Sequence, residues 1–329
     1  MQTAHEREAT MNHSKAKFGI LLPTREAVMS GRSDPSSIFD SADRAEALGF
    51  HSVWVGDSLT ARPRVEALTT LAAVGARTRR VRLGTSVFLA ALRHPILLAH
   101  QLASLDWLTS GRIDLGIGYG RPKEPTQEHE FEILGLSASS RMKMSEELVT
   151  VMRRLWRENN VSHAGAFSRF ERVTLEPKPA QPGGVPIWLA SNNVEPGLRR
   201  VARLGDGWLN NITSPETYRE CREKIRGYAA ENGRDPESIQ PGLYFTLAAG
   251  GAEAVSEGQM FLAQYYNRSY EAVSKAMLCA TGSWDEVIDR IEAYVEAGAR
   301  TIVLRFAARD QLAHLETCAE GLRRRGLLA

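Results

Sequence analysis

Polar and glycine residues recur where short apolar segments of this 329-residue sequence end. The segments end in Leu22-Pro23-Thr24, Gly56-Asp57-Ser58, Thr85-Ser86, Gly118-Tyr119-Gly120, Ser191-Asn192-Asn193, Asn210-Asn211, Ala249-Gly250 and Arg305 to Arg309. They match no Ser-His-Asp motif, no H-E-x-x-H zinc motif and no metal-binding cluster, and no lysine stands at a segment end. A polar rim with so few acid–base groups predicts that a bound organic cofactor, and not a metal, supplies the chemistry.

Four charged side chains are candidates for particular roles. Asp57 either caps a turn with Ser58 or contacts a ligand as a binding or catalytic group. His94 either caps the helix that begins at the next residue or acts in catalysis, because histidine exchanges protons readily near neutral pH. Arg305 and Arg309 either bind a phosphate or a substrate anion, or are solvated charges at the rim.

Strand and helix patterns alternate along the chain, and they would place the polar segment ends at one edge of a sheet. Apolar strands are predicted at 18–22, 52–55, 81–86, 112–118, 186–190, 207–210, 243–248 and 301–306, each followed by a helical pattern. Eight such units predict an α/β fold, a (β/α)₈ TIM barrel whose active site lies at the carboxyl ends of the strands. An open dinucleotide-binding sheet is excluded, because the glycines at 116, 118 and 120 have the wrong spacing and no helix follows them.

A single domain accounts for residues 16–329, after a polar N-terminal tail, residues 1–15, that we expect to be disordered. Three segments are additional to the alternation of strands and helices, at about 119–140, 158–184 and 250–280. In the second segment, apolar and polar residues alternate as they do in a β-hairpin. Each follows a strand or lies between a helix and the next strand. Insertions after strands lie on the catalytic face of a barrel and would narrow a pocket there.

Charge and cysteine content restrict the class of partner. The formal net charge is +2 and charges of both signs are interspersed, so no basic surface for nucleic acid is predicted. No apolar stretch approaches the length of a membrane span. The cysteines, Cys221, Cys279 and Cys318, are odd in number and far apart, which fits a reducing cytoplasm. We expect a cytoplasmic protein that acts on a small molecule.

Several segments together resemble one enzyme family. These are FGILLPT, AEALGFHSVWVGDS, LTTLAAVGARTRRVRLGTSV, RHPILLAHQLASLDWLTSGRIDLGIGYG, PIWLAS and RLGDGW. The sequence, from about residue 17 to its end and most densely from 43 to 120, is similar to the bacterial luciferase-like monooxygenase superfamily. The resemblance implies an oxidoreductase on a TIM barrel that uses a flavin or the deazaflavin coenzyme F420.

The resemblance also implies roles for particular residues. Ser86-Val87 corresponds to a step that is often a non-prolyl cis peptide, forming a bulge against one face of the flavin ring. Asp57 would lie beside the ring, and the next residue, a catalytic histidine in several members, is Ser58 here. Gly118-Tyr119-Gly120 would lie along the flavin. Ser191-Asn192-Asn193 would bind the cofactor phosphate.

The resemblance implies reduced FMN, supplied by a separate flavin reductase, reacting with O₂ to a C4a-peroxyflavin that oxygenates the substrate. The alternative within the family is F420-dependent hydride transfer without oxygen. An alternative of another class is a flavin-binding relative without turnover, suggested by the missing histidine at Ser58. A further alternative is a TIM-barrel enzyme that binds a phosphate substrate through the Ser191 loop. Members commonly form homo-oligomers, either dimers or tetramers.

Overall fold

Eight parallel strands close into a barrel in the computed structural model, which describes residues 16–31, 33–120 and 124–329. In chain order the strands are β1 (Lys17–Leu21), β2 (Ser52–Val55), β3 (Arg82–Thr85), β4 (Ile113–Ile117), β5 (Val161–Ala164), β6 (Arg169–Val173), β7 (Ile187–Ala190), β8 (Gly207–Leu209), β9 (Gln240–Ala249), β10 (Cys279–Gly282) and β11 (Thr301–Phe306). The barrel contains all of them except β5, β6 and β10, and it closes where β11 pairs with β1 and β8 pairs with β9. The predicted TIM barrel is confirmed. The predicted tail, residues 1–15, lies outside the described residues.

Helices follow the strands and cover the outside of the barrel. They are α1 (Thr24–Met29), α2 (Ser36–Ala47), α3 (Ala67–Arg77), α4 (Pro95–Leu108), α5 (Pro125–Glu132), α6 (Arg141–Arg157), α7 (Glu195–Leu204), α8 (Pro215–Glu231), α9 (Ala252–Tyr266), α10 (Tyr270–Ala276), α11 (Trp284–Glu296) and α12 (Gln311–Arg324). Local sequence fixes several starts: Pro95 occupies the first turn of α4, and Ser283 forms a capping box with Glu286 at the start of α11. In the described residues, no helix is both long and apolar enough to cross a membrane.

The barrel interior is filled below the catalytic face. Trp54 and Trp188 meet edge to face with ring centroids 5.9 Å apart, and Leu21, Leu209 and Val303 pack around them. Two glycines leave the space for these rings: a Cβ would lie 2.2 Å from Trp54 at position 84 and 2.2 Å from Trp188 at position 207. The interior therefore holds a solid floor, and any ligand must bind above it.

Two of the three additional segments lie at the carboxyl ends of the strands, and the third lies at the amino ends. The segments after β4 and β9 lie at the carboxyl ends of the strands, and the second contains α9, α10 and β10, which pairs with the carboxyl half of β9. The hairpin of β5 and β6 is confirmed, but its segment connects α6 to β7. Gln181 in that segment bonds to Ile113 at the amino end of β4, so this excursion lies at the end opposite the catalytic face.

Candidate active site

The carboxyl ends of the barrel strands surround a cavity of about 420 Å³, which we call the inner cavity. This volume falls within the range of about 300–1,000 Å³ common for small-molecule and cofactor sites. Of the residues proposed from sequence, Asp57, Ser86, Val87, Gly118, Tyr119, Gly120, Ser191 and Asn192 line it. Residues beyond the strand ends complete the lining: Arg62, Arg64, Leu89, Gln127, Glu130, Met142, Tyr265, Tyr266 and Met277. Their binding roles stay predictions, but the structure brings them together.

Ser86 and Val87, which we call the β3 bulge, project into the cavity from the end of β3. The peptide bond between them is cis, as the resemblance implied. The bulge is bonded to β2 and the residues that follow it: the Ser86 amide donates to the Val55 carbonyl (2.7 Å), and the Asp57 amide donates to the Val87 carbonyl (3.2 Å). On the β4 side, a Cβ at Gly118 would lie 2.1 Å from Val87 Cγ2. The absence of a side chain at Gly118 therefore leaves room for Val87, and the flavin contact of Gly118 stays a prediction.

Asp57 supports the segment that follows the bulge. One carboxylate oxygen accepts from the Arg93 guanidinium at 2.9 Å, and the other accepts from the Leu89 amide at 3.0 Å. The Asp57 side chain is only 2% exposed. Burial raises the pKa of Asp57, and Arg93 and the Leu89 amide oppose that shift. Both oxygens are thus engaged, so the carboxylate positions the bulge rather than standing free as a base.

Glu130 on α5 is a lining residue that the sequence did not reveal. It is fully buried, and one oxygen accepts from the Ser58 hydroxyl (2.7 Å), the Thr60 amide (2.7 Å) and the Ala61 amide (3.0 Å). Its other oxygen has no hydrogen-bond partner among the described residues. The carboxylate therefore fixes the segment after β2 and holds the Ser58 hydroxyl at the cavity wall.

Of the loop from Ser191 to Asn193, the first two residues line the inner cavity. The Asn192 side chain donates to Asn211 Oδ1 at 2.7 Å and accepts from the Asn211 amide at 3.1 Å, which ties the ends of β7 and β8 together. Asn193 is exposed and does not line the inner cavity. Tyr119 lies near this loop beneath Arg200 of α7, whose guanidinium is 5.2 Å from the ring centroid. Burial raises the pKa of Tyr119 to about 12, so its hydroxyl stays protonated near neutral pH.

Three other candidates do not reach the cavity as proposed. His94 is exposed before α4, makes no capping bond and is not a lining residue, so its placement gives no support to a catalytic role. Arg309 is exposed beside a separate cavity of about 640 Å³. Arg305 is 1% exposed and lies behind the cavity wall, so a ligand in the inner cavity does not touch it. Neither arginine lines the inner cavity, and their anion-binding role stays a prediction.

Three tyrosines, which we call the tyrosine wall, line the cavity on the β9 side: Tyr244, Tyr265 and Tyr266. Sequence periodicity alone gave Tyr265 as an apolar helix residue and did not single out the other two. Elsewhere among the described residues, no three histidine, cysteine, aspartate or glutamate side chains are grouped to hold a metal ion. The site thus combines the β3 bulge, hydroxyl and amide groups, arginines, and the carboxylates of Asp57 and Glu130.

Comparison with known proteins agrees with this geometry. Residues 16–301 match a family described as luciferase-like monooxygenase. The F420-dependent glucose-6-phosphate dehydrogenase of Intrasporangium calvum is 28% identical over 312 residues, covering 86% of this chain and 92% of that protein. The oxygenase component of the flavin-dependent trigonelline monooxygenase of Acinetobacter baylyi is 32% identical over 203 residues, covering 60% of this chain and 53% of that protein. The crystal structure of monooxygenase RslO1 from Streptomyces bottropensis is 29% identical, with a TM-score of 0.77 over 94% of this chain and 99% of that chain.

Proposed function

Because the chain belongs to the luciferase-like monooxygenase family, we propose that it uses reduced FMN and O₂ to oxygenate a small organic substrate in the inner cavity. At the coarser level it is an oxidoreductase, since its named relatives are dehydrogenases and monooxygenases. The observation that carries the proposal is the arc of cavity wall formed by β3, β4 and β7. There an apolar bulge adjoins hydroxyl and amide groups, which matches a flat ring with a polar tail.

The residues of this arc fit a flavin. Val87 offers an apolar contact for a ring, while Ser191 and Asn192 offer polar groups near the start of α7, where helix amides favour a phosphate. When bound, the reduced flavin would supply the electrons that activate O₂. The chain's own part is to hold the ring against the bulge through Asp57 and Arg93, and to keep water out with the segments that follow β4 and β9. In this proposal a separate reductase supplies the reduced FMN.

F420-dependent hydride transfer is the second candidate. It is favoured by one observation: the F420-dependent relative aligns over 92% of its length, whereas the flavin-dependent relative aligns over 53%. The same arc would then hold the deazaflavin ring, and no oxygen would be consumed.

Cofactor titration followed by turnover separates these functions. The purified chain is titrated with FMN, reduced FMN and F420, and oxygen uptake and reduced-cofactor absorbance are followed with a substrate panel. We expect reduced FMN to bind and oxygen uptake to depend on substrate. Val87→Glu, which places a carboxylate at the bulge, should weaken binding at least about tenfold, because an unpaired charge would be desolvated by the ring. The exposed Val28 provides the matched control, Val28→Glu, which should bind normally.

Each other outcome has a definite meaning. F420 binding without oxygen uptake would replace the proposal with the second candidate. Tight binding without turnover across the panel would favour a flavin-binding protein, and turnover of a phosphate ester without any cofactor would favour a phosphate-substrate enzyme. If the chain binds none of the three cofactors, both redox functions are refuted.

We also propose that the chain forms a homo-oligomer, a dimer or a tetramer, through α4. Leu98, Leu102 and Leu105 of this helix are buried, while Leu97, Trp107 and Leu108 are 64%, 59% and 72% exposed, beside the polar, exposed His100 and Gln101. Large exposed apolar side chains grouped on one element and bordered by polar residues are typical of a protein interface. A second copy of the chain is the partner that would cover the outer side.

A further inference from the structure

The tyrosine wall presents hydrogen-bond donors that nothing in the described part of the chain uses. Tyr244, Tyr265 and Tyr266 line the inner cavity, and none of their hydroxyls makes a hydrogen bond within the described residues. Burial raises the pKa of Tyr244 and Tyr266, so both remain protonated at neutral pH. A protonated phenol can donate to a ligand oxygen, and a phenol inside a cavity is costly to leave unpaired.

Arginines alternate with these rings. Arg305 lies 4.0 Å from the Tyr265 ring centroid and 5.5 Å from that of Tyr266. Arg25 lies 4.5 Å from the Tyr265 ring, and Arg62 lies 5.3 Å from the Tyr266 ring. None of the three Arg305 guanidinium nitrogens has a hydrogen-bond acceptor among the described residues, although the Glu26 carboxylate is 3.6 Å away. The wall is thus backed by positive charge, which strengthens its hydroxyls as donors.

Arg64 brings a guanidinium into the cavity itself. It packs on the end of β2, where a Cβ at Gly56 would lie 2.0 Å from Arg64 Nη1. Its Nε donates to the Arg62 carbonyl at 3.2 Å. No carboxylate among the described residues lies within 4.0 Å of it, whereas Arg62 pairs with Glu124 and Arg93 pairs with Asp57. Arg64 is therefore the lining arginine whose charge remains available to a ligand.

Of the two carboxylates that line the cavity, Asp57 is neutralised by Arg93. Glu130 has no cationic partner among the described residues, and one of its oxygens accepts from three neutral donors on the segment after β2. Neither carboxylate forms an ion pair with Arg64. The tyrosine wall is separated from the proposed flavin arc, because β9, which carries Tyr244, lies across the eight-stranded barrel from β3. A ligand held against the arc of β3, β4 and β7 would leave the tyrosine wall for a second molecule, and Arg64, at the end of β2, lies between the two in the strand order.

We propose that the part of the inner cavity between the end of β2, where Arg64 lies, and the tyrosine wall is a subsite for an oxyanion carried by the substrate, a carboxylate or phosphate group. Arg64 and the tyrosine hydroxyls contact it, and Arg305 supports the tyrosines from behind. This inference rests on the proposed function, since it assigns the arc of β3, β4 and β7 to a flavin cofactor.

Matched pairs of ligands test the subsite by binding alone. Benzoate with benzyl alcohol, and glucose 6-phosphate with glucose, are titrated calorimetrically into the full chain with and without FMN. We expect each anion to bind at least about tenfold more tightly than its neutral partner, with a preference that falls as salt rises. Arg64→Gln should lower the ratio of anion affinity to neutral-partner affinity about tenfold. Tyr266→Phe should reduce it less, and the exposed Arg219 on α8 supplies the control, Arg219→Gln, which should retain it.

The outcomes also distinguish the two proposals. Equal affinity for anion and neutral partner, or an unchanged preference in Arg64→Gln, would overturn the subsite while leaving cofactor binding intact. If FMN abolishes anion binding and Arg64→Gln weakens FMN itself, the oxyanion belongs to the cofactor and the substrate subsite is wrong. If the anion preference persists but no cofactor binds, the proposed function fails and the subsite stands.

Discussion

Gly118→Ala tests whether β4 sets the position of the β3 bulge. The added Cβ would lie 2.1 Å from Val87 Cγ2 and 2.9 Å from Val87 Cβ. Ordinary carbon contacts begin near 3.5 Å, so Val87 must retreat by more than about 1 Å. Overpacking of this size lowers the free energy of unfolding by about 2 kcal/mol, which corresponds to a fall of about 3 °C in melting temperature for a chain of this length. Because Val87 lines the cavity, we also expect FMN affinity to fall at least about tenfold.

Thermal unfolding and FMN titration measure the two effects, and two further variants identify their cause. Val87→Ala removes the Cγ2 methyl group that the added Cβ would strike, so the free-energy cost of Gly118→Ala combined with Val87→Ala should be less than the sum of the single changes. A Cβ at Gly227, within α8, would meet nothing within 4 Å. Gly227→Ala should therefore raise stability by about 0.5–1 kcal/mol. The reasoning is refuted if Gly118→Ala behaves like Gly227→Ala, or if the double variant shows simple additivity.

Two other predictions concern the cavity wall and the assembly. Glu130→Gln should lower the free energy of unfolding by about 1–3 kcal/mol and raise the KM for substrate. The reason is that a neutral amide holds the Ser58 hydroxyl and the two loop amides less firmly than a carboxylate does. Thermal unfolding and steady-state kinetics measure the two effects. Glu132→Gln on the same helix, 62% exposed at the side chain, is the control, and equal effects of the two changes would contradict the interpretation. Trp107→Glu should convert an oligomer to monomers in light scattering without changing the circular dichroism spectrum, whereas Met260→Glu, at an equally exposed site on α9, should not. An unchanged mass for Trp107→Glu would exclude α4 as the interface.

Local pattern was sufficient to predict the barrel. Buried parallel strands are almost continuously apolar, and Ser52–Val55 and Thr301–Phe306 were predicted with the bounds that the structure has. Proline and glycine marked the helix ends well, as at Pro95. The short helix α1 and the strand β10 were missed, because α1 is shorter than two helical turns and the four-residue β10 depends on its pairing with β9.

The candidate site was predicted only where it coincides with strand ends. Ser86, Val87 and Asp57 fall there, and the structure places them in the cavity. Glu130 could not be found in this way, because it bonds to Ser58 across 72 positions of sequence and sits among ordinary helix charges. His94 shows the reverse case: residue type alone suggested proton transfer, but the structure places this side chain at the exposed start of α4, outside the lining of the inner cavity.

β9 has a consequence for how this barrel can diversify. Its first residues pair with β8, Gln240 with Gly207 and Pro241 with Trp208, and this pairing completes the ring. Its carboxyl half pairs with β10. The segment from residue 250 to 282, which carries Tyr265 and Tyr266, is therefore attached above the seam and is not part of the closure. Substitutions and length changes there can alter the lining of the inner cavity while the ring stays intact. Selection can thus act on Tyr265 and Tyr266 and on the stability of the barrel almost independently, whereas Tyr244 belongs to a barrel strand.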